Sequence, residues 1–170
     1  MNWIKLGVFT ALSLGFTACG FFKHYDFRGA NIPEDVQTFS VSYFSNEADF
    51  VNPSLSMDFT EKMKTKFQTE TRLGLSSEQG DYQFAGSITR YSITPATLNN
   101  NTGTAQNQFS ISVKLEFACP KHPEKNLTRE FSFFKIFDAS QNFQSIESAL
   151  TEEITDNLVQ QIFATVALDW

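Results

Sequence analysis

The sequence predicts an α+β fold, a two-layer sandwich in which two helices cover one face of a mixed, mostly antiparallel sheet. Apolar and polar residues alternate with period two over 109–117, which is typical of a half-buried strand. Apolar residues recur every four positions in 54–69 and again in 146–168, which predicts two helices that each carry one apolar stripe. Because each stripe needs a partner, we expect both helices to pack on the same side of the sheet.

The first strand is expected at 38–44. Phe39, Val41 and Tyr43 alternate there with small polar residues, so these three side chains are predicted to face the core. The first helix follows Asn52-Pro53, and its stripe consists of Leu55, Phe59, Met63 and Phe67.

A second strand is predicted at 82–93, after a short segment at 73–77. Phe84 and Ile88 share one parity, whereas Tyr91 and Ile93 have the other. A bulge near Arg90 would bring both pairs to the same face.

The strands at 109–117 and 127–137 are expected to form a hairpin around the proline-containing segment 119–125. We place Leu115 opposite Phe131. This register puts Phe134 and Ile136 on the outer face, where polar residues are the rule. Either these two side chains form a binding surface, or the register is different.

The first 18 residues have the pattern of a secretory signal, with Lys5 before a short apolar run and Ala18 at the expected cleavage point. Cys19 follows directly, and this junction resembles a bacterial lipoprotein box. The resemblance implies that Cys19 is lipidated after cleavage. The alternative is a plain secreted protein in which a free Cys19 is available to form a disulfide with Cys119.

The expected organisation is therefore a signal peptide at 1–18, a lipidated tether at 19–36 and a single domain at 37–170. The formal net charge of −6 argues against nucleic-acid binding, which needs a basic surface. Membrane attachment is accordingly expected to come from the lipid.

Residue types that carry chemistry are sparse. The only histidines are His24 and His122, and the segment from Cys119 to His122 is better interpreted as a turn than as a zinc site or a nucleophile pair. We therefore expect no catalytic residues, no metal site and no cofactor.

Several segments, taken in order, resemble the LptE-like lipoproteins of Bacteroidota. They include Ile32-Pro33, Phe39-Ser40-Val41, Val51-Asn52-Pro53, Thr71-Arg72-Leu73, Phe84-Ala85-Gly86-Ser87-Ile88-Thr89, Phe131-Ser132 and Ile162-Phe163. The resemblance implies a non-catalytic lipopolysaccharide-assembly lipoprotein, anchored on the periplasmic side of the outer membrane. It also implies a partner, an LptD-type β-barrel in which the protein sits as a plug, and engagement of lipopolysaccharide.

Under this interpretation, Lys114, Phe134 and Ile136 are candidates for contact with the barrel wall. The basic residues Arg72, Arg90 and Arg129 are candidates for lipid A phosphates, against the alternative of ordinary surface roles. Two other functions remain open. One is an outer-membrane lipoprotein that binds a glycan or other small ligand, and the other is a lipid-anchored hydrolase.

Overall fold

The computed structural model describes residues 31–49, 52–96 and 105–168. Cys19 and the predicted signal peptide lie outside these residues. The order of elements is β1 (Thr38–Val41), β2 (Ser45–Asn46), α1 (Leu55–Glu70), β3 (Gly74–Leu75), β4 (Tyr82–Ala96), β5 (Gln106–Ala118), a short 3-10 turn (Pro123–Lys125), β6 (Leu127–Asp138) and α2 (Phe143–Ala167).

The sheet runs in the order β3-β1-β4-β5-β6, and β2 pairs with β4 beyond the end of β1. β1 and β2 run parallel to β4, because α1 carries the chain across between them. β4, β5 and β6 form an antiparallel meander. Both helices pack on one side, which confirms the predicted α+β sandwich. None of the helices in the described part of the chain is long and apolar enough to span a membrane.

The first strand is shorter than predicted. β1 ends at Val41, and Tyr43 is 62% exposed, so the expectation that Tyr43 faces the core is wrong. Phe44 enters the core instead, where its backbone N–H donates to Oγ1 of Thr60 at 3.1 Å. Val41 pairs with Phe84 and Ser45 pairs with Ser87, so this strand has one residue more than β4 between the two pairs. The extra residue reverses the alternation after Val41.

The bulge in β4 lies where the sequence predicts it, between Ile88 and Arg90, and it brings Tyr91 onto the face of Ile88. The β5–β6 register is shifted by two residues from the expected one, because Phe131 lies opposite Val113 rather than Leu115. A shift by two keeps every side chain on its predicted face.

The core lies between the sheet and the helices and is rich in phenylalanine. Phe67 of α1 is fully buried, and its ring centroid lies 4.5 Å from that of Phe84, 5.2 Å from Phe163 and 5.8 Å from Phe39. A single side chain thus joins α1 to two strands and to α2. α2 begins at Phe143, and the side chain of Asn142 before it caps the helix by accepting from the backbone N–H of Gln144.

Two ends of the fold can be distinguished. At one end, which we call the base, β5 turns into β6 and both helices reach their C-termini. The backbone N–H of Asn31 donates to the carbonyl of Ala167 there, and Arg72 donates to the carbonyl of Pro33. At the opposite, far end, β6 leads into the start of α2.

Candidate functional site

The open face of the sheet is the side that neither helix covers. It is built by the residues of β4, β5 and β6 whose parity is opposite to that of the core. Cross-strand pairing places Lys114 opposite Glu130, Ser112 opposite Ser132 and Ser110 opposite Phe134 on this face. Ile136 follows opposite Gln108.

An apolar zone lies on the open face toward the far end. Phe134 and Ile136 are each 50% exposed, although residues of this size usually bury most of their surface in small soluble domains. Both belong to β6, two positions apart, so their side chains stand on the same face. Although the register differs from the predicted one by two residues, it leaves both side chains on the open face, so the shift does not account for their exposure.

A charged zone lies on the same face toward the base. Lys114 pairs with Glu116 at 2.8 Å, and this hydrogen bond raises the pKa of the lysine. Glu130 accepts a hydrogen bond from the hydroxyl of Thr89 at 2.7 Å. The side chains of Lys114 and Glu116 are each about half exposed, so their ion pair adds little to stability and remains available to a partner.

The two zones are separated by a stretch of serines. Ser112 donates to Ser132 at 3.0 Å, and the hydroxyls of Ser92 and Ser110 lie 3.1 Å apart. Ser110 and Ser112 are almost fully buried although they face outward, so the middle of the face is flat and its hydroxyls are satisfied. The sequence pattern could not reveal that these serines are buried, since serines that alternate with apolar residues are equally typical of a solvated face.

The structure separates the three residues predicted to contact a barrel. Phe134 and Ile136 stand together, but Lys114 lies four strand positions from Ser110, the residue opposite Phe134. At about 3.4 Å per residue, this separation is about 14 Å along the strand. The three side chains share one face without touching.

The three predicted phosphate-binding arginines do not converge. The Arg72 guanidinium lies at the base and donates to backbone carbonyls of Ile32 and Pro33 at 3.1 and 2.6 Å. Arg129 shares the face of Leu115, the helix side, and lies 5.3 Å from the ring of Phe131.

Arg90 differs from the other two. It stands at the bulge of β4, opposite Ser112 on the open face, and it is exposed. No side chain of the described residues forms a hydrogen bond or an ion pair with Arg90, so its charge is the most accessible of the three.

A cleft of about 940 Å³ lies on the other layer, between α1 and α2. Lys62 forms an ion pair with Asp156 from one helix to the other within it. At the far end, the Tyr91 hydroxyl contacts Glu147 at 2.5 Å and Thr151 at 3.5 Å. Burial together with the Glu147 contact raises the pKa of Tyr91, so this group stays protonated and serves as a structural hydrogen-bond donor.

The described residues do not bring together an arrangement typical of catalysis or metal binding. His122 pairs with Asp35 at 3.0 Å, but both side chains are on the surface, with 27% and 56% exposed. Cys119 is buried, and its carbonyl accepts from the backbone N–H of His122 in a turn. Within 31–49, 52–96 and 105–168, no three metal-ligating side chains form a group.

The model of the family described as "LptE: Lipopolysaccharide-assembly" matches residues 36–166, which include every strand, all of α1 and all of α2 except its last residue. This chain belongs to the LptE family. It is therefore a lipopolysaccharide-assembly lipoprotein of the cell envelope. LptE proteins are non-catalytic, so the prediction that the chain is not an enzyme is confirmed. No curated protein sequence matches the chain.

Three solved structures have a similar fold. A minor lipoprotein from Acinetobacter baumannii is 14% identical with a TM-score of 0.52, over 78% of this chain and 93% of that one. Lipoprotein B from Nitrosomonas europaea is 12% identical with a TM-score of 0.51, over 78% and 83%. A DUF330 protein from Xanthomonas campestris is 10% identical with a TM-score of 0.53, over 77% and 84%. At these identities the likeness establishes the fold alone.

Proposed function

We propose that this LptE-family protein is the non-catalytic partner, or plug, of an LptD-type β-barrel in the outer membrane, and that its open sheet face contacts the barrel wall. The observation that carries the proposal is the exposure of Phe134 and Ile136 on that face. Two large apolar side chains exposed side by side on an open sheet are typical of an interaction surface.

The chemistry of the face fits a barrel wall. The apolar zone can exclude water from a contact, while the Lys114–Glu116 pair about 14 Å away can set orientation. The serine stretch between them is flat, so a second sheet can approach closely. Anchoring through a lipidated Cys19 is part of this proposal, and so is the outer-membrane location.

The test is co-purification of the barrel from membranes in mild detergent. We expect Phe134→Asp with Ile136→Asp to reduce the recovered barrel strongly, because each substitution places a charge in the desolvated contact. Met57→Asp is the matched control, since Met57 is 57% exposed on the helix layer. Unchanged barrel recovery with the double variant would contradict this interface.

Lys114 is tested separately because it belongs to the other zone. Lys114→Glu places a third carboxylate beside Glu116 and Glu130, so its thermal midpoint must be measured together with barrel recovery. A loss of barrel with an unchanged midpoint supports a contact in the charged zone. Full recovery of the barrel restricts the interface to the apolar zone.

Contact with lipopolysaccharide phosphates is proposed for Arg90 first, because Arg72 donates to backbone carbonyls and Arg129 lies on the helix side of the sheet. Binding of labelled lipopolysaccharide to Arg90→Glu, with Arg129→Glu as control, tests this order. An equal loss of lipopolysaccharide binding in both variants would indicate general charge attraction rather than a specific site.

A further inference from the structure

The segment at 31–38 is fastened to the base of the fold by the turn between β5 and β6. Nε2 of His122 lies 3.0 Å from Oδ1 and 3.1 Å from Oδ2 of the Asp35 carboxylate. Nζ of Lys121 donates to the backbone carbonyl of Asp35 at 2.5 Å and to the Asp81 carboxylate at 2.8 Å. Two consecutive side chains of the turn thus hold one residue of the segment.

Other contacts hold the same segment from different elements. Ile32 and Val36 are buried in the core cluster. Arg72 donates to the carbonyl of Pro33, and the Asp81 carboxylate accepts from the backbone N–H groups of Gln37 and Thr38 at 2.8 and 3.1 Å. Among all these contacts, only the one from His122 involves a side chain whose ordinary pKa is near neutrality.

We propose that the turn at 119–126 is a latch that closes on the segment at 31–38 when His122 is protonated and loosens when His122 loses its proton. The latch therefore controls how firmly the segment at 31–38 is held against the base of the fold. The inference does not depend on the barrel partnership.

The charges around His122 favour its protonated form. Asp35 faces Nε2, Glu124 lies 3.3 Å from Nδ1, and the neighbouring cation Lys121 is engaged by Asp81. Lys125, in the 3-10 turn, adds a further cation to the same turn. The hydrogen bond with Asp35 is the main cause that raises the pKa of His122, and the same bond lowers the pKa of Asp35.

The sign of the pH dependence follows from these directions. A histidine whose pKa is higher in the folded state stabilises its contact fully below its unfolded pKa of about 6.5. That stabilisation is lost as the pH rises through the raised value. Asp81 has a pKa of about 2 and stays ionised throughout this range, so the contacts of Lys121 persist and the latch loosens rather than opens.

Amide hydrogen exchange on the full chain tests the latch. After correction for the intrinsic rate, we expect the opening of the amides of Val36, Gln37 and Thr38 to increase about two- to fivefold between pH 5.5 and pH 8.5, as for an exposed ion pair. In His122→Asn this increase with pH should be absent. The three amides should then exchange at both pH values at the faster rate that the natural chain shows at pH 8.5. The proposal would be overturned if amide opening increased equally with pH in His122→Asn, or if it did not increase in the natural chain.

Two further measurements separate the latch from a general pH effect. The imidazole of His122, followed by NMR, should titrate at a raised pKa that returns toward about 6.5 in Asp35→Asn. His24→Asn removes the other histidine of the chain and should leave the exchange step intact. Disappearance of the step in His24→Asn would assign the effect to a different group and refute the latch.

Discussion

The ring of Phe44 packs against the backbone of Gly86, on the helix side of the sheet. A Cβ atom at Gly86 would lie 2.8 Å from Cε1 of Phe44 and 2.1 Å from the carbonyl oxygen of Lys114. Phe44 is fully buried, and its ring stands edge-on to that of Phe59 with centroids 5.1 Å apart. The missing side chain at Gly86 is therefore what lets the chain after β1 close over β4.

Gly86→Ala is expected to destabilise the fold by about 1–3 kcal/mol, because the backbone of β5 cannot yield as a flexible side chain would. Urea unfolding measures the change. Gly74→Ala is the matched control, since a Cβ there would meet only the carbonyl oxygen of Gln37, at 3.9 Å. Equal costs at the two glycines would contradict the steric argument.

Phe67→Ala is expected to cost about 3–5 kcal/mol, the usual range for deletion of a buried aromatic ring. The ring contacts Phe39, Phe84 and Phe163, so the cavity would open between both helices and the sheet. Phe134→Ala serves as the control and should change stability by less than about 0.5 kcal/mol, because Phe134 is half exposed. Urea unfolding measures both changes, and similar unfolding midpoints for the two variants would show that the core is misassigned.

Periodicity predicted the elements of this fold well because the helices cover only one face of the sheet. The residues that face the helices are therefore mostly apolar. The apolar residues of the α1 stripe and of β5 are all buried as predicted, and the two-residue register shift at Phe131 preserved every face. The parity change between Ile88 and Tyr91 was sufficient to predict the bulge, since only an extra residue can bring both to the core.

Features that depend on contacts between distant segments were beyond the sequence. Tyr43 was assigned to the core by alternation, although the sheet pairing of β1 had already ended at Val41. Nothing in the pattern indicated that Asp35 would meet His122, or that Arg72 would bind the carbonyls of the segment at 31–38. Long-range polar contacts leave no periodic signal. The sequence could therefore name residues of the open face, such as Lys114, Phe134 and Ile136, but not the polar contacts between segments.

Asp81 is expected to contribute to stability in a pH-dependent way. Its hydrogen bonds to Lys121 and to the backbone N–H groups of Gln37 and Thr38 lower its pKa from 3.8 to about 2. A depressed carboxyl pKa adds stability that is complete above about pH 4 and is lost as the pH falls toward 2. Acid titration of the unfolding free energy measures this loss.

Asp81→Asn is the variant that isolates this carboxylate. It should lower stability at pH 7 by about 1–2 kcal/mol, near the lower end of the range for hydrogen bonds to charged groups, and flatten the decline between pH 4 and 2. Asp49→Asn is a suitable control, because Asp49 is exposed. An unchanged acid profile in Asp81→Asn would assign the decline to other carboxylates.

Tyr91 joins β4 to the start of α2 through its hydroxyl, which donates to Glu147. Tyr91→Phe should therefore cost about 1–2 kcal/mol and loosen the first turns of α2, because a hydrogen bond to a charged acceptor is lost while the ring stays packed against Phe109. Since the pKa of Tyr91 is raised, the variant should also lack a portion of the tyrosine absorbance change that titrates above the usual range. Tyr43→Phe, at a position 62% exposed, should leave stability unchanged. If Tyr91→Phe is as stable as Tyr43→Phe, packing alone holds α2 against the sheet and the hydroxyl contact is dispensable.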